Sequence, residues 1–168
     1  MSTNTELFVS KLEALKEGDL SLFRALRGQR LDESLKGFDV FTGVWWALRQ
    51  LPGAVPRREI AWLVIKLYAI AGLKHKTESS FASCFGRVYR TIEEEKARNR
   101  FLDRFDDMLN LDLSLLEYPL QMALLQIKNE RIEYIDWIKL TDDLSKWDNE
   151  HTRSRWAQEF YNAYKFIN

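Results

Sequence analysis

The chain is poor in the residues that staple or punctuate small folds. One cysteine in 168 residues excludes a disulfide framework and any Cys-rich zinc site. Three prolines and seven glycines are too few for an all-β fold built on many tight turns. The two histidines, His75 and His151, have no partner at metal-ligand spacing such as His-x-x-x-His or Glu-x-x-His, and each reads as a solvated surface residue. No glycine-rich phosphate loop is present. No apolar run reaches the roughly 18 residues of a membrane span. The best, Ile60 to Leu73, contains Lys66. The opening Met1-Ser-Thr-Asn-Thr-Glu has no basic region followed by an apolar core, so no secretory signal is expected and the protein is expected to be cytoplasmic.

What is there suits a packed domain. Apolar residues make up 46% and aromatics 13%, with six Trp and ten Phe, enough to build a sizeable core and to exclude intrinsic disorder. The formal net charge is zero, but its distribution is uneven. Residues 1–90 carry 14 Lys+Arg against 9 Asp+Glu, and residues 91–168 carry 11 against 16. A basic half next to an acidic half points either to a polyanionic partner or to neutralisation within the molecule or an assembly.

The apolar spacing is helical almost throughout. Phe8, Leu12 and Leu15 mark a first helix. Asp19 is placed to cap a second over Leu20 to Leu26, with Gly28 as its stop. Gln29 to Gly37 reads as a loop, and Phe38 to Leu48 as a short helix ended by Pro52-Gly53-Ala54-Val55-Pro56. Ile60, Leu63, Val64, Leu67, Tyr68 and Ala71 form a helix buried on most sides, with Pro56 at its entry and Gly72 at its end. Leu73 to Ser79 reads as an exposed loop, and Ser79 or Ser80 caps a helix to Tyr89. Glu93-Glu94-Glu95 opens the next, with Phe101, Phe105, Met108 and Leu109 as its core face. Leu111 to Ile127 is helical, with Pro119 near a start or at a kink, and Lys128-Asn129-Glu130 is a turn. Asp136 caps a helix marked by Trp137, Leu140, Leu144 and Trp147. Trp156, Phe160 and Tyr164 mark the last, with Arg155 and Glu159 as an i, i+4 pair. No run alternates long enough to force a strand. The fold class is therefore all-α: eight or nine short helices packed as one or two small bundles, with 1–90 a basic bundle and 91–168 an acidic one.

Catalytic constellations are missing. Cys84 has no neighbouring His and sits in an apolar stretch, which makes it a buried structural thiol. Asp106-Asp107 and Asp142-Asp143 are adjacent pairs that point to different helix sides, so they make poor metal clamps. No enzyme activity, cofactor or metal is expected. Cations are better represented, and phosphate contacts need long cationic side chains on one face without strict spacing. Arg24, Arg27 and Arg30 recur every three residues; Arg57 and Arg58 sit at a helix start; Lys74 and Lys76 flank the loop at that helix's far end. Arg87 and Arg90 lie three apart, and Arg100 and Arg104 four apart. The Trp and Phe residues sit at core spacing and read as core rather than as stacking platforms.

The C-terminal stretch adds a more specific signal. Asp136-Trp137, Leu140, Asp143-Leu144, Trp147, Arg155-Trp156-Ala157 and Tyr161 resemble the closing signature of the CasB family, the small subunit of the type I-E CRISPR surveillance complex, Cascade. Gly18-Asp19 with Arg24, Pro56-Arg57 before the long apolar helix, Phe85-Gly86-Arg87 and Arg100-Phe101 resemble family elements in the same order. The third of these is Leu-Gly-Arg in the family. Two departures fall in the C-terminal half, where other members carry basic residues: Leu120-Gln121-Met122-Ala123 and Asp148-Asn149-Glu150.

The resemblance implies an all-helical, non-enzymatic subunit of a prokaryotic cytoplasmic complex, present as a pair along its inner side. Its partners would be other Cascade subunits, the guide RNA, the target DNA and a second copy of itself, with no membrane involved. It would brace the guide–target duplex and hold the displaced strand through backbone contacts, since base pairing with the guide reads the sequence. The acidic half would meet a basic neighbour, so that copies associate head to tail. The alternative is a helical protein-interaction adapter with no nucleic acid role, which the zero net charge favours.

Overall fold

The computed structural model describes residues 4–50 and 56–165. The expected break at Pro52 to Val55 lies outside these residues. Within them the elements are α1 (Asn4–Glu13), α2 (Glu17–Ala25), α3 (Leu35–Arg49), α4 (Arg58–Ala71), β1 (Lys74–His75), α5 (Phe81–Thr91), α6 (Glu95–Leu109), α7 (Glu117–Asn129), β2 (Tyr134–Ile135), α8 (Trp137–Ser145) and α9 (Glu150–Lys165). The fold is all-α apart from the pairing of β1 with β2, which is parallel.

The most apolar helix, α4, lies at the centre and packs on α2, α7 and α8. Ile60, Val64 and Ile65 are fully buried on it, each such side chain contributing about 1.5–3 kcal/mol. The other dense contact is α5 against α9. It requires glycine: a Cβ at Gly86 would sit 2.5 Å from the Phe160 carbonyl oxygen. Around this approach Phe81, Phe85, Phe101, Phe105 and Phe160 form a ring cluster, with Phe105 and Phe160 stacked at 4.3 Å. Helix contacts cross residue 90 repeatedly, α1 on α8, α4 on α7 and α5 on α9.

Several helix boundaries follow the expected capping chemistry. Ser80 accepts from Ser83 N, and Asp136 from Lys139 N, each cap worth about 1 kcal/mol. Gly28 and Gly72 take φ of +77° and +67°, as helix stops in the left-handed region do. Pro119 is the third residue of α7, where its missing N–H has no helical partner to lose.

Other local expectations are corrected. Asp19 does not cap α2: the helix starts at Glu17 after Lys16, so Asp19 lies in its first turn near the positive end of the dipole. Gln29 to Gly37 is not a plain loop. Leu31–Glu33 forms a 3-10 turn, and Ser34 caps α3, which therefore begins three residues before Phe38. Gly37 lies inside that helix, where a Cβ would overlap the side chain of Leu26, the residue that ends α2. Leu111 to Ile127 is two elements, a 3-10 turn at Leu113–Leu115 and then α7, which runs on through the expected turn to Asn129. Leu73 to Ser79 contains β1, whose partner lies some 60 residues away in sequence, too short and too remote a pairing for periodicity to show. His75 is not a solvated histidine. Its side chain is 14% exposed, and its Nδ1 accepts from the Trp137 backbone N–H at 3.1 Å, supporting the start of α8.

Candidate nucleic-acid interface

The cations singled out in the sequence separate into engaged and free groups. Arg24 is engaged: its Nε donates to the Ala69 carbonyl at 2.8 Å and it pairs with Glu17 at 2.8 Å, which ties α2 to the end of α4. Arg30 lies 3.6 Å from Glu33. Arg27, between them in sequence, is exposed and has no carboxylate within ion-pair distance among the described residues. The same holds for Arg57, Arg58, Lys74, Lys76, Arg87, Arg90 and Arg100.

The cations without a carboxylate partner are ordered along the α4–α7 axis, although two of them touch the fold: Arg90 donates to the Ala163 carbonyl at 3.4 Å and Arg87 bonds the Cys84 thiol. The two helices run in the same direction: the middle of α4 meets the start of α7 through Lys66 and Glu117, and Gly72 at the end of α4 accepts from Lys128 at the end of α7. Arg57 and Arg58 stand at the first end, Arg57 as the N-cap of α4. Arg49 and Trp45 lie nearby: the guanidinium is 5.7 Å from the indole centroid, and the indole donates to the Pro56 carbonyl at 2.9 Å. Arg27 stands beside Glu117 and Tyr118 at the start of α7. At the far end, Arg87 and Arg90 share a cleft with Glu130 and Ile132 just after α7. Lys74 in β1 and Lys76 just after it lie beyond the end of α4, Lys76 5.7 Å from the Tyr134 ring. The 14 residues of α4 set these two ends about 20 Å apart.

Helix α6 adds a second line. Lys96, Arg100 and Arg104 fall at i, i+4 and i+8 and are exposed. Arg104 faces α7 across a cleft of about 450 Å3. The other edge of α6, with Leu102, Asp103 and Asp106, faces α9. The helix therefore turns Arg104 together with Asp107 toward α7, and Asp103 and Asp106 toward α9.

Lys66, which spacing alone places inside an apolar stripe, is 3% exposed. Its Nζ bonds Glu117 at 2.6 Å and the Gln29 carbonyl at 2.8 Å, and it lies 5.0 Å from the Trp62 ring. Glu117 also accepts from Gly28 N at 2.5 Å. This buried pair holds the loop carrying Arg27 against α7. The one sequence signal for it is a lysine on a helix face that is otherwise buried.

The C-terminal motif is a structural clasp. Asp143, 6% exposed, accepts from the Trp156 indole at 2.8 Å and from Arg155. Glu159 accepts from Arg155 at 3.1 Å and from Lys139 at 2.7 Å. Burial opposes the charge of Arg155, but the hydrogen bond and charge of Asp143, with Glu159, hold its guanidinium above the ordinary value. Trp137 donates to the Leu73 carbonyl and Trp147 to that of Leu111. Every polar tip in the motif's indole set is satisfied within the fold.

A sequence model of the family described as CRISPR-associated protein Cse2 matches residues 21–161. The chain belongs to the Cse2 family. Solved structures agree with this Cse2 assignment at the level of the fold. The structure of CasB from M. ruber matches with a TM-score of 0.73 at 20% identity, covering 97% of this chain and 95% of that one. A Cse2-family CRISPR-associated protein from Thermus thermophilus matches at 0.68 and 22% identity, covering 97% and 100%. CasB from Thermobifida fusca matches at 0.57 and 13%, covering 92% and 98%. A comparison with curated proteins returns no match. Among the described residues of this Cse2 chain, no group of three or more His, Cys, Asp or Glu side chains is placed to hold a metal ion. No described helix is long and apolar enough to cross a membrane. Cys84 is buried and its thiol is pushed up by that burial, against the charge and hydrogen bond of Arg87.

Proposed function

We propose that the chain is the non-catalytic small subunit of the type I-E Cascade complex, holding nucleic acid backbone without sequence preference. The carrying observation is the order of exposed cations without carboxylate partners along the α4–α7 axis: Arg57 and Arg58, then Arg27, then Arg87, Arg90, Lys74 and Lys76. Cations that face water rather than carboxylates are free to displace counterions from a phosphate backbone. The guide RNA and target DNA are the polyanions, and the other Cascade subunits and a second copy of the chain are the protein partners. The division near residue 90 acts as a division of charge: Asp103 and Asp106 of α6 with Asp148 and Glu150 meet a basic neighbour, the basic side meets the nucleic acid.

The test replaces Arg27, Arg57 and Arg87 together with Ala. Affinity for DNA of any sequence falls by a similar factor, and the salt slope flattens by about two to three units, since each duplex phosphate contact contributes about 0.9. An unchanged slope in the assembled complex removes the reading. Co-expression with the other Cascade subunits and a guide supplies the second check, through co-purification of this chain.

A second reading, a protein-interaction adapter, is favoured by α3. Leu35 is 79% exposed and Trp46 55%, contrary to the expectation that the tryptophans are core. Absence of any DNA or RNA retention at about 50 mM salt would favour it, because that is the regime in which electrostatic binding is strongest.

A further inference from the structure

Lys66 is a buried cation that the reading above does not use. It stands on α4 beside Val64, Ile65 and Leu67, all buried, where an apolar side chain of similar length would also pack. Stability does not account for its charge. The attraction within a buried ion pair roughly offsets the cost of taking both charges out of water, and apolar replacement of a whole pair is often neutral or stabilising.

The outer end of the pair gives a different reason. Glu117 is 22% exposed and lines a shallow groove with Arg27, Tyr118 and Gln121. Among the described residues that line it, Arg27 and Glu117 are the charged ones. They do not pair with each other. Both carboxylate oxygens of Glu117 are taken, Oε1 by the Lys66 ammonium at 2.6 Å and Oε2 by the Gly28 N–H at 2.5 Å. The ammonium is itself fixed by the Gln29 carbonyl at 2.8 Å and by the Trp62 ring. The Trp62 indole donates to the same carbonyl at 2.9 Å, so the segment after Arg27 is held from three side chains.

We infer that Lys66 is a positioning residue for Arg27: by holding the Glu117 carboxylate it leaves the neighbouring guanidinium to a phosphate. Without the ammonium, Arg27 is the cation in the groove that Glu117 can turn to. A guanidinium paired with a carboxylate no longer displaces a counterion from a phosphate backbone. The inference rests on the backbone reading above and adds to it the residue that keeps one contact open.

The test uses the full chain and a fluorescent DNA duplex, titrated by anisotropy between about 50 and 200 mM salt. Arg27→Ala flattens the salt slope by about 0.9, the contribution of one duplex phosphate. Lys66→Met flattens it by the same step, and the variant with both changes shows no further loss, since each removes the same contact. Lys66→Met with Glu117→Gln restores the wild-type slope. The glutamine oxygen still accepts from Gly28 N–H and Trp62 still holds Gln29, but no carboxylate is left to capture Arg27. Gln121→Glu separates the effect from stability. It leaves the buried pair in place and adds a carboxylate to the groove with no lysine to hold it, and it flattens the slope by the same step, though not in the Arg27→Ala background. If Lys66→Met does not fold, Gln121→Glu decides. An unchanged slope in folded Lys66→Met, in Gln121→Glu or in Arg27→Ala overturns the positioning role and spares the backbone reading, which the other cations carry. Absence of DNA binding by the wild-type chain overturns both.

Discussion

Arginines in the two halves of the chain meet opposite surroundings. On α9, Arg155 reaches both Asp143 and Glu159, and the same Asp143 holds the Trp156 indole. At the start of α4, Arg57 and Arg58 reach no carboxylate at all among the described residues. The residue type and its charge are identical. The difference is whether folding brings an acid within reach, so the first arginine is a part of the scaffold and the other two remain available to a partner. Arg24 makes the same point inside the basic half: a position that sequence spacing groups with Arg27 is anchored to Ala69 and Glu17 instead.

The sharpest way to break the comparison is at Asp143. Asp143→Ala takes one of its two carboxylates from Arg155, leaves a buried indole N–H without an acceptor, and should cost about 3–4 kcal/mol, most of it from the indole side. In a chain of this size that lowers the melting temperature by about 10 °C, measured by calorimetry. A stability loss no greater than that of Arg57→Ala would erase the distinction between scaffold and available arginines. The buried Lys66–Glu117 pair comes next. Lys66→Met leaves the Glu117 carboxylate facing an apolar side chain and should cost about 3 kcal/mol in chemical denaturation, most of it regained in the double variant with Glu117→Gln. Gly86→Ala forces α5 off α9 and should cost about 1–3 kcal/mol by the same measurement, because the obstacle is backbone.

Arg57→Ala with Arg58→Ala sharpens the other side of the comparison. Stability changes by no more than about 0.5 kcal/mol, while the salt slope of DNA binding in a filter or anisotropy titration flattens by about one to two units. The smallest effect belongs to Cys84. Burial raises its folded pKa, so the native state keeps the thiol proton through pH values at which the unfolded chain releases it. The associated stability is present below the ordinary thiol range and is lost as pH rises through the raised value. Alkylation at pH 8 should therefore follow unfolding rather than precede it, which mass spectrometry of native and denatured samples will show.

Most helices are legible in the sequence because their apolar residues recur at helical spacing and their ends carry residues with a capping reason. Ser80, Asp136, Gly72 and the Trp156–Phe160–Tyr164 face are of this kind. The misreadings have one cause, a partner distant in the chain. His75 and Lys74 look like loop because Tyr134 and Ile135 are needed to make them strand. Gly37 looks like a breaker because Leu26 is needed to explain it. At the candidate interface the residue types are legible but their fates are not. Nothing in the spacing of Arg24, Arg27 and Arg30 distinguishes the free one from the two that are paired, and nothing in the run from Leu111 to Ile127 marks Tyr118 and Met122 as the exposed rim of a cleft.

By itself the sequence determined the all-helical class, the opposite charge of the two halves and the closing motif, because helical periodicity, composition and short motifs are properties of neighbours along the chain. Tertiary structure alone decided that α4 and α7 run in the same direction, that Asp143 takes up Arg155, that Arg57 and Arg58 stay in water, and that α6 and α7 enclose an apolar cleft edged by Arg104 and Asp107. The physical reason is range. Backbone propensity acts over a few residues, whereas ion pairing and burial depend on which side chains folding brings within a few ångströms of one another.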